Sequence, residues 1–170
     1  MKTTTRTTGF FASLWTQLKA GDTEGALDRL QQTGKHVGKQ VAQQAEASGA
    51  KASAALRNFY RALQGKVREI FAAADAAVAA SDREQAPAIR DRLLKEVIPP
   101  LQKKIRSARQ RIATLSSKRT RLAKQGKDTA AVEEELRRAR IELADLQARL
   151  GFAQALAAEM DRLTQATGKP

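Results

Sequence analysis

The feature that most constrains this chain is a heptad seam near its C-terminus. Steps of four and three residues from Val132 reach Leu136, Ala139, Leu143, Leu146, Leu150, Ala153, Ala157 and Met160, and every position is apolar. With 42% of residues hydrophobic, chance gives such a run roughly once in a few hundred tries, all registers allowed. A seam of this period needs a partner helix to cover it. The preceding segment supplies one. Leu101, Ile105, Ala108, Ile112, Leu115, Arg119 and Leu122 follow the same steps, with Arg119 the one polar member.

Between the seams lies Lys124-Gln125-Gly126-Lys127-Asp128-Thr129. Gly126 suits a helix C-terminus because it accepts a left-handed backbone cheaply. Asp128 or Thr129 suits the next N-cap. Glu133, Glu134 and Glu135 then stand at the positive end of the new helix. Lys118, Arg119, Arg121 and Lys124 stand at the negative end of the old one. Both sets complement the helix dipole. So short a loop makes the helices antiparallel, with residue i facing roughly residue 253 − i.

The rest is organised around this hairpin. Its first arm is expected over 83–124, kinked at Pro99-Pro100 where backbone donors are lost, and started by the capping-box match Ser81-Asp82-Arg83-Glu84. Its second arm is expected over 130–164. Upstream, Ala52, Leu56, Phe59, Leu63, Val67, Ile70, Ala74 and Val78 keep a rhythm close to the natural helical period, which marks a helix over about 37–79. Residues 1–35 read as a polar tail, 1–8, followed by short amphipathic helices over Gly9–Leu18 and 22–33, the latter capped by Asp22. The expected fold is all-α: an elongated antiparallel three-helix bundle or coiled-coil hairpin, 36–170, with short N-terminal helices.

Charge is distributed unevenly over this frame. The chain carries 31 Lys and Arg against 18 Asp and Glu, a net +13. Residues 1–68 hold 11 basic and 4 acidic side chains, and residues 99–128 hold 10 and 1; the stretches 69–98 and 129–170 are slightly acidic. A field of this sign gathers polyanions or anionic surfaces. The arm offers Lys103, Lys104, Arg106, Arg109, Arg111, Lys118, Arg119, Arg121, Lys124 and Lys127 as candidate polyanion contacts. No Phe, Tyr or Trp occurs between Phe71 and Phe152. The arm therefore cannot stack on bases, and any nucleic acid would be held by its backbone. The structural alternative is that these cations flank the seam and pair with Glu133, Glu134, Glu135 and Glu142. Four acids cannot neutralise ten cations.

A second candidate is the N-terminal helix. Phe10, Phe11, Leu14, Trp15 and Leu18 fall on one helical side, with Lys2, Arg6 and Lys19 nearby. That pattern suits insertion into an anionic lipid surface, or docking of the aromatic face on the bundle or on another subunit. Gly34-Lys35-His36-Val37-Gly38-Lys39 departs from the phosphate-loop spacing and follows no strand, so it carries no nucleotide site. Lys51, Arg57, Arg61, Lys66 and Arg68 around Asn58-Phe59-Tyr60 read as core packing with charged flanks.

Several classes are excluded or disfavoured. No cysteine is present, so there is no disulfide framework and no thiolate chemistry. The single His, His36, cannot build a relay. No acid pair stands in apolar surroundings as acid–base chemistry requires, so no enzyme, cofactor or metal is expected. No stretch is long and apolar enough to span a membrane.

The amphipathic helix Gly9–Lys19 ahead of a helical hairpin over 83–164 resembles, in architecture and without a shared residue motif, the phage-shock and ESCRT-III membrane-remodelling proteins. The resemblance implies a peripheral membrane role for the N-terminal helix. The Ala-rich, Gln-containing stretch 40–55 is similar to helices of granule-coating phasins. The sequence expectation is a non-enzymatic structural or assembly protein, cytoplasmic or within a phage or bacterial assembly, not secreted. Its basic arm would contact nucleic acid or another polyanion without sequence specificity, alongside further subunits or copies of itself. The alternatives are an anionic membrane or an acidic protein as partner.

Overall fold

The computed structural model describes residues 2–33, 61, 62, 64, 65, 67–71 and 83–167. Every element among them is helical, so the chain is all-α. They are α1 (Lys2–Lys19), α2 (Thr23–Thr33), α3 (Ala86–Arg92), a π-helical segment (Leu93–Val97), α4 (Ile98–Lys124) and α5 (Ala130–Thr167). Of the helix expected over 37–79, only short helical runs up to 67–71 fall within the described residues.

Helices α4 and α5 lie against each other. Arg119 pairs with Glu133, Arg111 with Glu142 and Arg90 with Asp161. As one partner steps back along the chain the other steps forward by nearly as much, which is the antiparallel register. The turn is a Schellman motif. Gly126 takes φ 67°; its N–H bonds the Ala123 carbonyl at 3.1 Å, and the Lys127 N–H bonds the Leu122 carbonyl at 3.0 Å. A side chain at Gly126 would meet open space, so its role there is backbone alone, and a left-handed L-residue costs roughly 1–2 kcal/mol. Asp128 Oδ1 then accepts from the Ala130 N–H at 3.0 Å and starts α5.

The α1–α2 turn repeats this design. Gly21 takes φ 84°, and the Gly21 and Asp22 N–H groups return to the Leu18 and Gln17 carbonyls. Asp22 also serves α2, its Oδ1 accepting from the Gly25 N–H at 3.0 Å. The helix expected over Gly9–Leu18 begins earlier, at Lys2. Threonines nucleate helix poorly, but extending a helix already docked needs only one hydrogen bond per added residue.

Two other boundaries differ from expectation. Arg83 is still helical, Glu84 and Gln85 form a turn, and α3 starts at Ala86. Pro87 decides this: its ring is tolerated in a first turn and not within a helix. The break in the first arm lies upstream of Pro99-Pro100, in the π segment, where the Ile98 N–H reaches back to the Leu93 carbonyl. The prolines then sit in the first turn of α4. Missing donors matter least there, and the wider π turn absorbs the mismatch.

The apolar interior has two parts. The main core gathers Phe11, Leu14, Trp15 and Leu18 of α1, Ala26, Leu27 and Leu30 of α2, Val67, Ile70 and Phe71, and the adjoining parts of α3, the π segment, α4 and α5. Here α5 is enclosed on nearly all sides, burying Phe152, Ala153, Leu156, Met160 and Leu163. The second core is small: Leu115, Val132, Leu136 and Ala139, with Ile112 and Leu122 against it. Among the described residues it is built by α4 and α5 alone. Among the described residues, α4 and α5 thus run on beyond the main core with no third helix beside them.

Candidate nucleic-acid interface

Helix α4 contains nine Lys and Arg and no acid; Lys127 in the turn is the tenth cation of the group. All ten candidate contacts are exposed. This follows from the sequence pattern, since the apolar seam takes one stripe of the helix and leaves the rest to solvent. Arg119 is the exception: it stands in the seam row and is still exposed, because its guanidinium turns out to Glu133 at 3.4 Å.

Two of the ten are paired across the hairpin. Arg119 meets Glu133, and Arg111 meets Glu142 at 3.8 Å. Both pairs have half-exposed or more exposed partners, where water and salt leave each worth roughly 0–1 kcal/mol. Glu134 does not cross to α4. It accepts from Arg137 at 2.9 and 3.0 Å and from Arg138 at 3.2 Å, both on its own helix. Among the described residues Glu135 makes no ion pair. Lys103, Lys104, Arg106, Arg109, Lys118, Arg121, Lys124 and Lys127 likewise have no acid within pairing distance. The pairing expected with all four glutamates is therefore half formed, and among the described residues eight cations stay uncompensated.

The Arg137 hydrogen bond is the largest cause holding the Glu134 carboxyl down to about 2 from an ordinary 4.5, with the Arg138 bond and both charges adding to it against an opposing desolvation. A lowered folded value means the contact contributes above the ordinary carboxylate range and is lost as pH falls toward 2. A carbon-detected NMR titration of Glu134 is expected to show its midpoint near pH 2, and Arg137→Gln to move it back up. A native midpoint near 4.5 would refute the pairing.

Sequence reasoning missed the hydroxyls beside the terminal cations. Ser116, Ser117, Thr120 and Gln125 line an open hollow of about 550 Å³ with Arg121 and Lys124. The available signal was the spacing of Ser116, Ser117 and Thr120, which sets hydroxyls one turn from Arg121 and Lys124. Thr120 Oγ1 donates to the Ser116 carbonyl at 3.0 Å, which leaves its lone pairs outward. Arg140 adds a further exposed cation from α5.

The second candidate face is placed elsewhere. Phe11, Leu14, Trp15 and Leu18 are buried in the main core, and Phe10 is partly buried against it. Phe11 stacks on Trp15 with centroids 6.0 Å apart, and Phe71 meets both edge-on at 5.2 and 6.4 Å. Polar contacts hold the neighbouring α2 on α5: Arg149 donates to Asp28, Glu24 and Gln31, and Gln31 to Asp145. Burying four large apolar side chains is worth roughly 6–12 kcal/mol. Transfer to lipid returns about what undocking costs, so little net drive to insert remains.

The glycine-lysine segment 34–39 with His36, and Phe59 and Tyr60, lie outside the described residues. Among the described residues no group of three or more His, Cys, Asp or Glu could hold a metal ion, and no helix is long and apolar enough to cross a membrane. Comparison with family models, characterised proteins and solved structures gives no match.

Proposed function

We propose that this is a non-enzymatic helical structural or assembly protein whose α4 arm holds a polyanion, the backbone of a nucleic acid, without reading its sequence. One observation carries the reading: eight exposed cations of the arm have no ion-pair partner among the described residues, on a helix that carries no acid itself. Phosphate binding draws its affinity from counterions released when fixed cations replace them. Lys and Arg on a rigid helix supply such fixed charge. Hydroxyls at Ser116 and Ser117 add uncharged donors to the same end of the arm. The arm has no aromatic ring, so base stacking does not contribute. The lipid reading is less favoured, because the side chains it needs lie in the main core.

The test is a salt titration of binding to a labelled mixed-sequence nucleic acid, followed by fluorescence anisotropy. If all eight uncompensated cations meet phosphates, log K is expected to fall against log salt with a slope of about −7. Affinity should be indifferent to base sequence. Absence of binding at low salt, or a slope near zero, overturns the reading.

A further inference from the structure

The uncompensated cations are not spread evenly along α4. Lys103 and Arg106 stand near its start, and Arg121 and Lys124 near its end. Eighteen residues separate Lys103 from Arg121, and the same number separates Arg106 from Lys124. Eighteen residues are five full helical turns, so the two pairs share one azimuth about 27 Å apart. That azimuth is the outer face, opposite the seam of Leu101, Ile105, Ala108 and Leu115. Between the pairs the same face carries Gln110, Ala113, Thr114 and Ser117, all exposed and all uncharged. The helix between them is continuous α from Ile98 to Lys124, and the antiparallel α5 stiffens it from behind through the second core.

From this geometry we infer that the partner is a stiff polyanion gripped at two points, and specifically a nucleic-acid duplex in preference to a single strand. This rests on the polyanion reading above and adds the class of nucleic acid. Two anchors at fixed separation act together only on a partner that presents charge at both places at once; the second contact is then made at high effective concentration. A duplex carries one phosphate charge per about 1.7 Å of axis and stays straight over about 50 nm, so it meets both pairs without being ordered first. A single strand must be straightened to do so, and proteins that hold single strands offset that cost by stacking bases on aromatic rings. This arm has none: Phe11, Trp15, Phe71 and Phe152 are all in the main core.

The span of about 27 Å corresponds to about eight base pairs, which gives the test. The full chain is titrated into labelled mixed-sequence duplexes from about six to about twenty base pairs, and into single strands of matching length, at fixed low salt. Duplex affinity is expected to rise more than tenfold as length passes about eight base pairs, beyond the gradual increase that extra sites provide. Single strands should bind at least tenfold more weakly and show no step. The double variants Lys103→Glu with Arg106→Glu, and Arg121→Glu with Lys124→Glu, should each abolish the step while leaving the helical circular dichroism intact. Equal binding of duplex and single strand without a step overturns the two-point inference and leaves the polyanion reading standing. No binding of either at low salt removes both.

Discussion

Replacing Phe71 with Ala is expected to lower the free energy of unfolding by about 3–5 kcal/mol, the range for deleting a buried aromatic side chain. Phe71 is 1% exposed. It presents its edge to Phe11 and Trp15, and aromatic pairs of this geometry add about 0.5–1.5 kcal/mol beyond the area they bury. For a domain of this size each kcal/mol moves the melting temperature by about 2–4 °C, so the shift should be about 6–20 °C. Trp15 emission should move to longer wavelength as its covering ring is lost. Two comparisons make the result specific. Ile141 is 53% exposed, and Ile141→Ala should change stability little. Phe10 is only partly buried, and Phe10→Ala should cost less than Phe71→Ala. Unfolding by urea, followed by circular dichroism, measures all three. A cost below about 1 kcal/mol for Phe71→Ala would show that α1 is not held by this ring.

The second large effect concerns binding. Reversing Lys118, Arg121, Lys124 and Lys127 to Glu removes four of the eight uncompensated cations. At about 0.1 M salt each phosphate contact accounts for nearly a tenfold factor, so affinity for nucleic acid should drop on the order of a thousandfold, and the salt slope should flatten by about 3.6. Stability should fall by no more than about 1–2 kcal/mol, because these side chains are exposed and only Arg121 and Lys124 stand in the last turn of α4, where an acid opposes the helix dipole. The control reverses Arg61, Arg68 and Lys95, exposed cations outside α4. If net charge alone governed binding, the control would lose as much affinity per residue replaced; location on α4 predicts a much smaller loss.

Much of the hairpin was legible in the sequence. Seven of the nine positions from Val132 to Met160 are buried, and Leu143 and Leu146 are partly buried against the core. Gly126 and Asp128 do what their residue types suggest. Such features are local, or repeat with a fixed period, so a single strand of text contains them. The breaks were harder to read. Pro99-Pro100 announces that an α-helical ladder cannot run through it, but not that the mismatch is taken up between Leu93 and Val97. A π turn has no residue signature of its own. Phe71 was absent from the seam read upstream, since a residue outside the repeat becomes core only when α1 folds over it. The charged surface was legible as a total and not as pairs. Four glutamates face the basic arm in sequence, yet Glu134 turns to Arg137 and Arg138 one turn away on its own helix. Competition between partners within a helix and across helices is settled by side-chain reach, which residue spacing does not encode.

The division of the interior into two cores has a consequence for how the molecule loses its structure. Among the described residues the outer core rests on four buried side chains from two helices, Leu115, Val132, Leu136 and Ala139, while the main core draws on all the described elements. Cooperative units of unequal size open at unequal free energies. The end of the hairpin is thus the first tier to fray, and its backbone amides should exchange with solvent well before those of 148–163. On the proposed reading a polyanion would meet that outer tier through Arg121 and Lys124, and the body through Lys103 and Arg106, which lie beside Leu101 and Ile105 of the main core. Binding to both would narrow the gap between the two tiers, so under that proposal the arm would persist longest while a partner is in place.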